Sequence, residues 1–112
     1  MEMNRIRTEF WVQALLRRAE VAGVFGGVLK KGDLDAGAVL LRVARLDGTA
    51  DFYSPARDID GNRIWMRPLG DAPVEESRIN SYCDNRVEDD PDLWIVELED
   101  RKGRHFLTEP VE

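Results

Sequence analysis

Residues 92–99 read Asp-Leu-Trp-Ile-Val-Glu-Leu-Glu, and this stretch decides the architecture. The segment is apolar at consecutive positions near its start, which is typical of a strand that is covered on both faces. Asp90-Pro91 stands just before it, and a residue that precedes proline is disfavoured in a helix. We therefore predict a central strand that follows the end of a helix.

Helical and strand patterns alternate through the rest of the chain. Thr8 is expected to cap a first helix, which Gly23 ends. A second helix is expected to start near Asp71 and Pro73 and to end near Val87. The strands between the two helices are predicted at 24–31, 38–46, 49–54 and 62–67.

The connections between consecutive predicted strands are short, which favours antiparallel pairing. The clearest is Asp47-Gly48, because both central positions of a type I′ hairpin turn need a positive φ. The predicted element order is α-β-β-β-β-α-β. We expect an α+β fold in which an antiparallel sheet of about five strands carries two helices on one face. A length of 112 residues fits a single domain over 1–112.

The composition is that of an ordinary globular domain, with 43% hydrophobic and 34% charged residues. This balance excludes a disordered tail protein. No apolar run approaches the roughly 20 residues of a membrane-spanning helix, and the segment from Met1 to Thr8 lacks the apolar core of a signal peptide. A single cysteine forms no internal disulfide. We therefore expect a cytoplasmic protein with no membrane partner.

The formal net charge of −6 is unevenly distributed along the chain. Acidic residues outnumber basic ones between 32 and 100, whereas 1–31 and 101–112 carry a basic excess. An acidic field repels phosphate backbones. Nucleic acid is therefore not the expected partner, and only the basic ends offer a surface for it.

The first helix carries more apolar surface than one sheet contact needs. A face that includes Leu15 is wide enough to dock the helix. A second apolar stripe lies about 90–120° away by the helical period, and two arginines flank it. Either the domain covers this stripe itself, or the stripe contacts a partner, most simply a second copy in a homodimer. The candidate interface residues are Phe10, Ala14, Arg17, Arg18 and Val21.

Two carboxylates, Asp33 and Asp35, stand in a turn between two glycines. Such a pair can hold a divalent ion or supply an acid and a base, and loops often carry function. The alternative interpretation is a plain polar turn, because Gly and Asp are turn formers and no third ligand is evident. Asp33 and Asp35 are the candidate ligand-binding residues.

The chain has one cysteine, Cys83, and one histidine, His105. This count argues against a zinc site built from the usual nitrogen and sulfur ligands. Cys83 falls on the narrow apolar stripe of the second helix, where a thiol behaves as a small hydrophobic group. We assign no catalytic residue, no metal site and no cofactor.

Three segments carry a family resemblance: the helical stretch 8–18, the turn Gly-Asp-Leu-Asp-Ala-Gly-Ala at 32–38, and the stretch 90–106 around the central strand. Together they resemble a family of small bacterial proteins known as domain of unknown function 1491. The resemblance runs from Arg5 to Leu107. It implies a stand-alone single domain and carries no activity, substrate or cofactor.

Three functions remain open at this point, in descending order of support. The first is a non-catalytic interaction domain that binds another protein or itself, because no catalytic constellation is present. The second is a small ligand- or metal-binding protein, or an enzyme, that uses the Asp33/Asp35 loop. The third is a nucleic-acid binder that uses the basic ends of the chain.

Overall fold

Two helices and six strands make up the fold. A computed structural model describes residues 6–112. The elements in chain order are α1 (Thr8–Val21), β1 (Phe25–Lys30), β2 (Val39–Ala44), β3 (Thr49–Arg57), β4 (Arg63–Met66), β5 (Val74–Glu75), α2 (Glu76–Asp89) and β6 (Trp94–Glu99).

The last strand, β6, enters the sheet between the first two strands. The strand order is β1-β6-β2-β3-β4, and the short β5 pairs with β3. β6 runs antiparallel to β1 and parallel to β2, whereas β3 runs antiparallel to β2, β4 and β5. The α+β class and the central position of this strand are confirmed. The sheet differs from the predicted antiparallel one in a single pair, because α2 returns the chain so that β6 lies parallel to β2.

The helices cover opposite faces of the sheet rather than one face. Buried residues of α1 pack against Val39, Leu41 and Val43, which alternate along β2. Leu40, from the other face of β2, packs in a second cluster with residues of α2. Every residue of β2 is buried, as expected for a strand covered on both sides. The sheet is therefore the middle layer of three.

Cys83 is part of the second apolar cluster and is only 4% exposed. Burial raises the pKa of its thiol, so that the uncharged form is favoured. The prediction that the cysteine is a buried hydrophobic residue is confirmed.

A buried arginine ties α2 to the middle of the sheet. The Arg42 side chain is 7% exposed, and its guanidinium donates to Glu76 at 2.6 Å and to Asn80 at 2.5 Å, both on α2. Its Nε lies 3.0 Å from a carboxylate oxygen of Glu97 on β6. A buried charge needs such partners, because an unpaired one is costly. This polar contact therefore fixes where α2 crosses the sheet.

The loop between β1 and β2 crosses closely over the start of β6. Asp33 N–H donates to the Asp92 carbonyl at 3.0 Å, and the Trp94 indole N–H donates to the Asp33 carbonyl at 2.8 Å. A Cβ on Gly32 would stand 2.1 Å from the Asp92 oxygen, and one on Gly37 would stand 2.4 Å from it. Only glycine fits at these two positions, because any side chain would meet the backbone beneath it.

The hairpin between β2 and β3 is confirmed, but its turn is not type I′. Leu46 and Gly48 have positive φ angles of 66° and 90°, and Asp47 between them does not. The Asp47 carboxylate instead accepts hydrogen bonds from the N–H and hydroxyl of Thr49. The loop is therefore wider than two residues and is closed by a side chain.

The helix starts also differ from the expected caps. Thr8 is the first residue of α1, and its hydroxyl donates to the Gly37 carbonyl at 2.9 Å. The N–H groups of Thr8 and Glu9 donate to the carbonyls of Asp35 and Leu34, so a distant loop caps the helix.

The second helix begins later than predicted. Residues Val74–Glu75 form β5 against β3, and α2 begins at Glu76. Val74 is buried in the α2-side cluster, and Glu76 N–H donates to the Gly48 carbonyl at 3.0 Å. These contacts hold residues 74–75 extended, so Asp71 and Pro73 precede a strand instead of opening a helix.

We predict that Gly32→Ala destabilises the fold by more than about 2 kcal/mol, because the added methyl group overlaps the backbone of β6. Gly27→Ala is the matched control, since a Cβ there meets nothing within 4 Å. Its effect should stay within about 0.5 kcal/mol. Urea unfolding at low protein concentration measures both values. Equal free energies of unfolding for the two variants would contradict the close contact between the β1–β2 loop and the start of β6.

Asp100 closes the turn after β6. Its carboxylate accepts hydrogen bonds from Nε of Arg104 at 2.8 Å and from the Arg104 backbone N–H at 2.9 Å. The Arg104 side chain, aided by backbone N–H groups, lowers the pKa of Asp100 to about 2. Because the pKa of Asp100 in the folded state lies below its ordinary value, the ionised carboxylate stabilises the folded state. This stabilisation is complete above about pH 4 and is lost as the pH falls to about 2.

We predict that in Asp100→Asn the free energy of unfolding falls less steeply at acid pH than it does in wild type. Wild type should lose about 1–2 kcal/mol more than the variant between pH 5 and pH 2, allowing for the half-exposed Arg104. Urea unfolding at a series of pH values measures the difference. Asp71→Asn, at an exposed turn residue, should keep the wild-type pH dependence. If the free energies of unfolding of wild type and Asp100→Asn change equally with pH, the stabilising role assigned to ionised Asp100 is refuted.

Candidate functional site

The two edges of the sheet are not equivalent. Along β4, the Trp65 N–H donates to the Pro110 carbonyl and the Glu112 N–H donates to the Trp65 carbonyl, both at 2.8 Å. The C-terminal residues thus cover that edge. In residues 6–112, only β6 pairs with β1. Among these residues, the outer edge of β1 therefore presents backbone N–H and C=O groups that other strands can pair with.

Large apolar side chains surround this open edge. Phe25 is 71% exposed and Leu29 is 56% exposed, and Val28 lies between them at 41%. Val21, at the end of α1 just before β1, is 76% exposed. The pairing register of β1 with β6 shifts between Val28 and Lys30, so Leu29 lies at a bulge. An exposed apolar edge strand is the usual substrate for strand addition.

The predicted apolar stripe of α1 faces away from the sheet. Phe10 is 50% exposed, and Ala14, Arg17 and Val21 are exposed as well. Arg18 turns toward the C-terminal segment, where its guanidinium donates twice to the Phe106 carbonyl at 2.9 and 3.1 Å. The described part of the domain thus leaves Val21 largely exposed and Phe10 half-exposed, with the Arg7 guanidinium 5.3 Å from the centre of the Phe10 ring. Their role in an interface remains a prediction.

The two candidate carboxylates have separate partners. Asp33 accepts hydrogen bonds from the N–H groups of Asp35 and Ala36 and so holds its own turn. Asp35 forms an ion pair with Arg7, with 2.5 Å between Nε and Oδ1. In the chain from Ile6 onward, no three His, Cys, Asp or Glu side chains gather as a metal site would require.

Asp35 nevertheless borders a groove of about 320 Å³. Apolar and polar side chains share its lining, and the rings of Trp11 and Trp65 stack there with centroids 5.6 Å apart. The Trp65 indole N–H donates to the Glu109 carboxylate at 3.0 Å. The other lining residues are Ile6, Thr8, Ala36, Gly37, Ala38, Val39, Pro55, Ala56, Arg57, Arg63 and Ile64.

Two arginines stand side by side on this groove. Arg57 of β3 and Arg63 of β4 are direct cross-strand partners, and both are exposed. The Arg57 guanidinium donates to the Gly61 carbonyl at 2.9 Å. Over the described residues, no carboxylate lies within 4.0 Å of either guanidinium. Like charges directly opposite each other on neighbouring strands are destabilising.

The only thiol and the only imidazole lie on different sides of the sheet. Cys83 packs in the α2-side cluster, whereas the His105 ring packs edge-on against Tyr53 of the α1-side cluster at 5.2 Å. Burial and then the nearby Arg67 charge lower the pKa of His105, so its neutral form is favoured. A Cys–His nucleophile is therefore excluded for this pair.

The sequence alone did not predict that β1 lies at an edge left open by the described residues, nor that two arginines are paired on β3 and β4. Residues 24–31 were expected to form a strand, and their apolar character gave no sign that the strand lies at an edge. Arg57 and Arg63 come from separate segments, and their juxtaposition depends on the β3–β4 register.

In the described chain, no helix has both the length and the apolar character needed to cross a bilayer.

Comparison with known proteins adds family membership. A model of the protein family of unknown function DUF1491 matches residues 6–108. A crystal structure of a DUF1491 family protein from Caulobacter crescentus CB15 has 50% sequence identity and a TM-score of 0.87, and covers 96% of this chain and 99% of that one. An NMR structure of a DUF1491 family protein from the same organism has 50% identity and a TM-score of 0.84, with 96% and 97% covered.

A third similar structure is the solution structure of protein Atu0922 from A. tumefaciens. It has 34% identity and a TM-score of 0.78, with 94% of each chain covered. No curated protein matches the chain. The family match over most of the chain and the 50% identity to a protein of that family lead to one conclusion. This chain belongs to the DUF1491 family.

Proposed function

We propose that this protein is a non-catalytic interaction domain of the bacterial cytoplasm, and that β1 pairs antiparallel with β1 of a second copy. The observation that carries the proposal is the contrast between the two sheet edges. The chain covers β4 with its own C-terminal residues, whereas β1 keeps an open, apolar edge among the described residues. The reducing cytoplasm suits a chain whose one cysteine is a buried thiol.

Self-pairing satisfies the backbone of β1 in both copies at once. A two-fold axis brings the same edge of each copy together, so that each strand supplies the donors and acceptors that the other needs. The main-chain hydrogen bonds supply affinity, and burial of Phe25, Val28 and Leu29 adds to it. The two sheets then continue as one across the interface.

Charge favours the antiparallel arrangement over the parallel one. Lys31 follows the end of β1 and is exposed, whereas the start of β1 at Phe25 pairs with Glu99 of β6. Antiparallel pairing brings Lys31 of one copy toward the end of the sheet at which Glu99 of the other copy lies, one strand in from the edge. Parallel pairing would place the two basic ends together, and such like-charge contacts are unfavourable.

Gly27 in the middle of β1 fits this arrangement. A Cβ at this position would meet nothing within 4 Å, so packing inside the domain does not require glycine here. Glycine in a strand interior lowers stability and often marks a place where another backbone comes close. A flat, side-chain-free site at the centre of the edge lets a second strand approach.

The proposed homodimer interface lies at β1, whereas the apolar stripe of α1 suggested an interface on that helix. Val21 lies at the β1 end of α1 and belongs to the new surface. Phe10 is eleven residues earlier on the helix, roughly 16 Å away at the helical rise. Substitutions at Phe10 and at β1 therefore separate the two possible interfaces.

We predict that Phe25→Lys combined with Leu29→Lys abolishes self-association, because lysine on an edge strand opposes strand addition. Sedimentation equilibrium should give wild type a mass approaching twice 12.8 kDa as concentration rises. The double variant should keep the monomer mass and the stability of the dilute wild-type protein. Ile59→Lys is the matched control, since Ile59 is fully exposed on the β3–β4 loop. It should associate like wild type.

Two results would contradict this assignment. Wild type that stays monomeric at high concentration would remove the second copy as the partner. Dissociation by Phe10→Asp together with retained association of the Phe25→Lys/Leu29→Lys variant would place the interface on the outer face of α1.

A further inference from the structure

The acidic residues of the groove already have side-chain partners, whereas its two arginines have no carboxylate partner among the described residues. Asp35 pairs with Arg7, and Glu109 accepts the Trp65 indole N–H. Arg57 and Arg63 face each other across the β3–β4 pair without a nearby carboxylate from the described residues. Arg18, Arg78, Arg86 and Arg101 of the described chain also have no carboxylate within 4.0 Å. Arg57 and Arg63 differ from these in being direct cross-strand partners that line one groove.

We propose that this groove binds a small organic anion, with its acidic group on Arg57 and Arg63 and its apolar body against Trp11 and Trp65. Guanidinium groups present donors in a fork that matches carboxylate and phosphate oxygens. An anion held between the two arginines removes the repulsion of a like-charge cross-strand pair. A bound anion therefore offsets the cost of placing two like charges opposite each other.

The size and walls of the groove limit the ligand. A volume of about 320 Å³ lies at the lower end of the range for small-molecule sites, roughly 300–1,000 Å³. Val39 and Ile64 extend the apolar wall beside the stacked tryptophans. The two exposed arginines place the charged group of the ligand toward solvent. The fitting class is a one-ring organic acid or phosphate ester.

This site is independent of the proposed dimer. The groove involves α1, the 35–39 segment, β3 and β4, whereas the proposed interface is β1. Three strands of the sheet, β6, β2 and β3, separate β1 from β4. Loss of dimerisation therefore leaves the anion site in place, and the two proposals succeed or fail separately.

Titration of the full chain with benzoate tests the proposal. Tryptophan fluorescence and the indole N–H resonances of Trp11 and Trp65 report directly on the groove wall. Benzoate should shift these two resonances saturably and leave that of the buried Trp94 unchanged. Benzyl alcohol, which lacks the charge, should bind at least about tenfold more weakly, and benzylamine should not bind. Phenyl phosphate distinguishes the two anion classes by binding more tightly or more weakly than benzoate.

Variants distinguish binding by the arginine pair from a general effect of positive charge on the protein. Arg57→Gln combined with Arg63→Gln should weaken benzoate binding by about tenfold or more while thermal stability stays the same or rises. Arg78→Gln removes an exposed arginine of α2, on the opposite face, and should bind like wild type. The absence of saturable binding by benzoate and phenyl phosphate would overturn the proposal. Tighter binding of benzylamine than benzoate, or unchanged binding by the double variant, would overturn it as well.

Inorganic phosphate alone tests the apolar half of the site. If the tryptophan wall contributes, inorganic phosphate should bind more weakly than phenyl phosphate. Equal binding of the two would overturn the assignment of an organic ligand.

Discussion

The parallel contact between β2 and β6 determines much of the remaining structure. Six residue pairs, from Val39↔Trp94 to Ala44↔Glu99, place the last strand of the chain beside a strand buried on both faces. This contact separates β1 from β2, although the two strands are neighbours along the chain. β1 is thereby moved to the edge of the sheet, and the segment that joins it to β2 must cross over the start of β6. Gly32 and Gly37 make that crossing possible, because their backbone lies directly on the Asp92 carbonyl.

The crossing segment also places α1. Carbonyls of Leu34 and Asp35 accept the first helical N–H groups, so the helix begins where the loop has been held by β6. The same loop and the start of α1 form one side of the groove, and the β3–β4 pair with its two arginines forms the other. Both proposed binding surfaces therefore follow from the insertion of one strand. The open edge follows because β1 is displaced, and the groove follows because the crossing loop brings Asp35 to Trp11.

Much of the fold could be predicted from local sequence patterns. The apolar run around Trp94 identified a central strand, and helical periodicity located both helices. The parallel pairing could not be predicted, because it depends on α2 covering the opposite face and on the buried Arg42 that holds it there. The exposed residues Phe10 and Val21 were recognised as surplus to the helix–sheet contact. The pairing of Arg57 with Arg63 was out of reach, because cross-strand register is set by the whole sheet rather than by either segment.

Amide hydrogen exchange tests most directly whether the outer edge of β1 pairs with a second copy. We predict that N–H groups of residues 25–30 that point away from β6 exchange slowly in concentrated solution and quickly after dilution. The Trp65 N–H, which donates to the Pro110 carbonyl, should be protected equally at both concentrations. Rapid exchange of the outer β1 amides at every concentration would contradict the account.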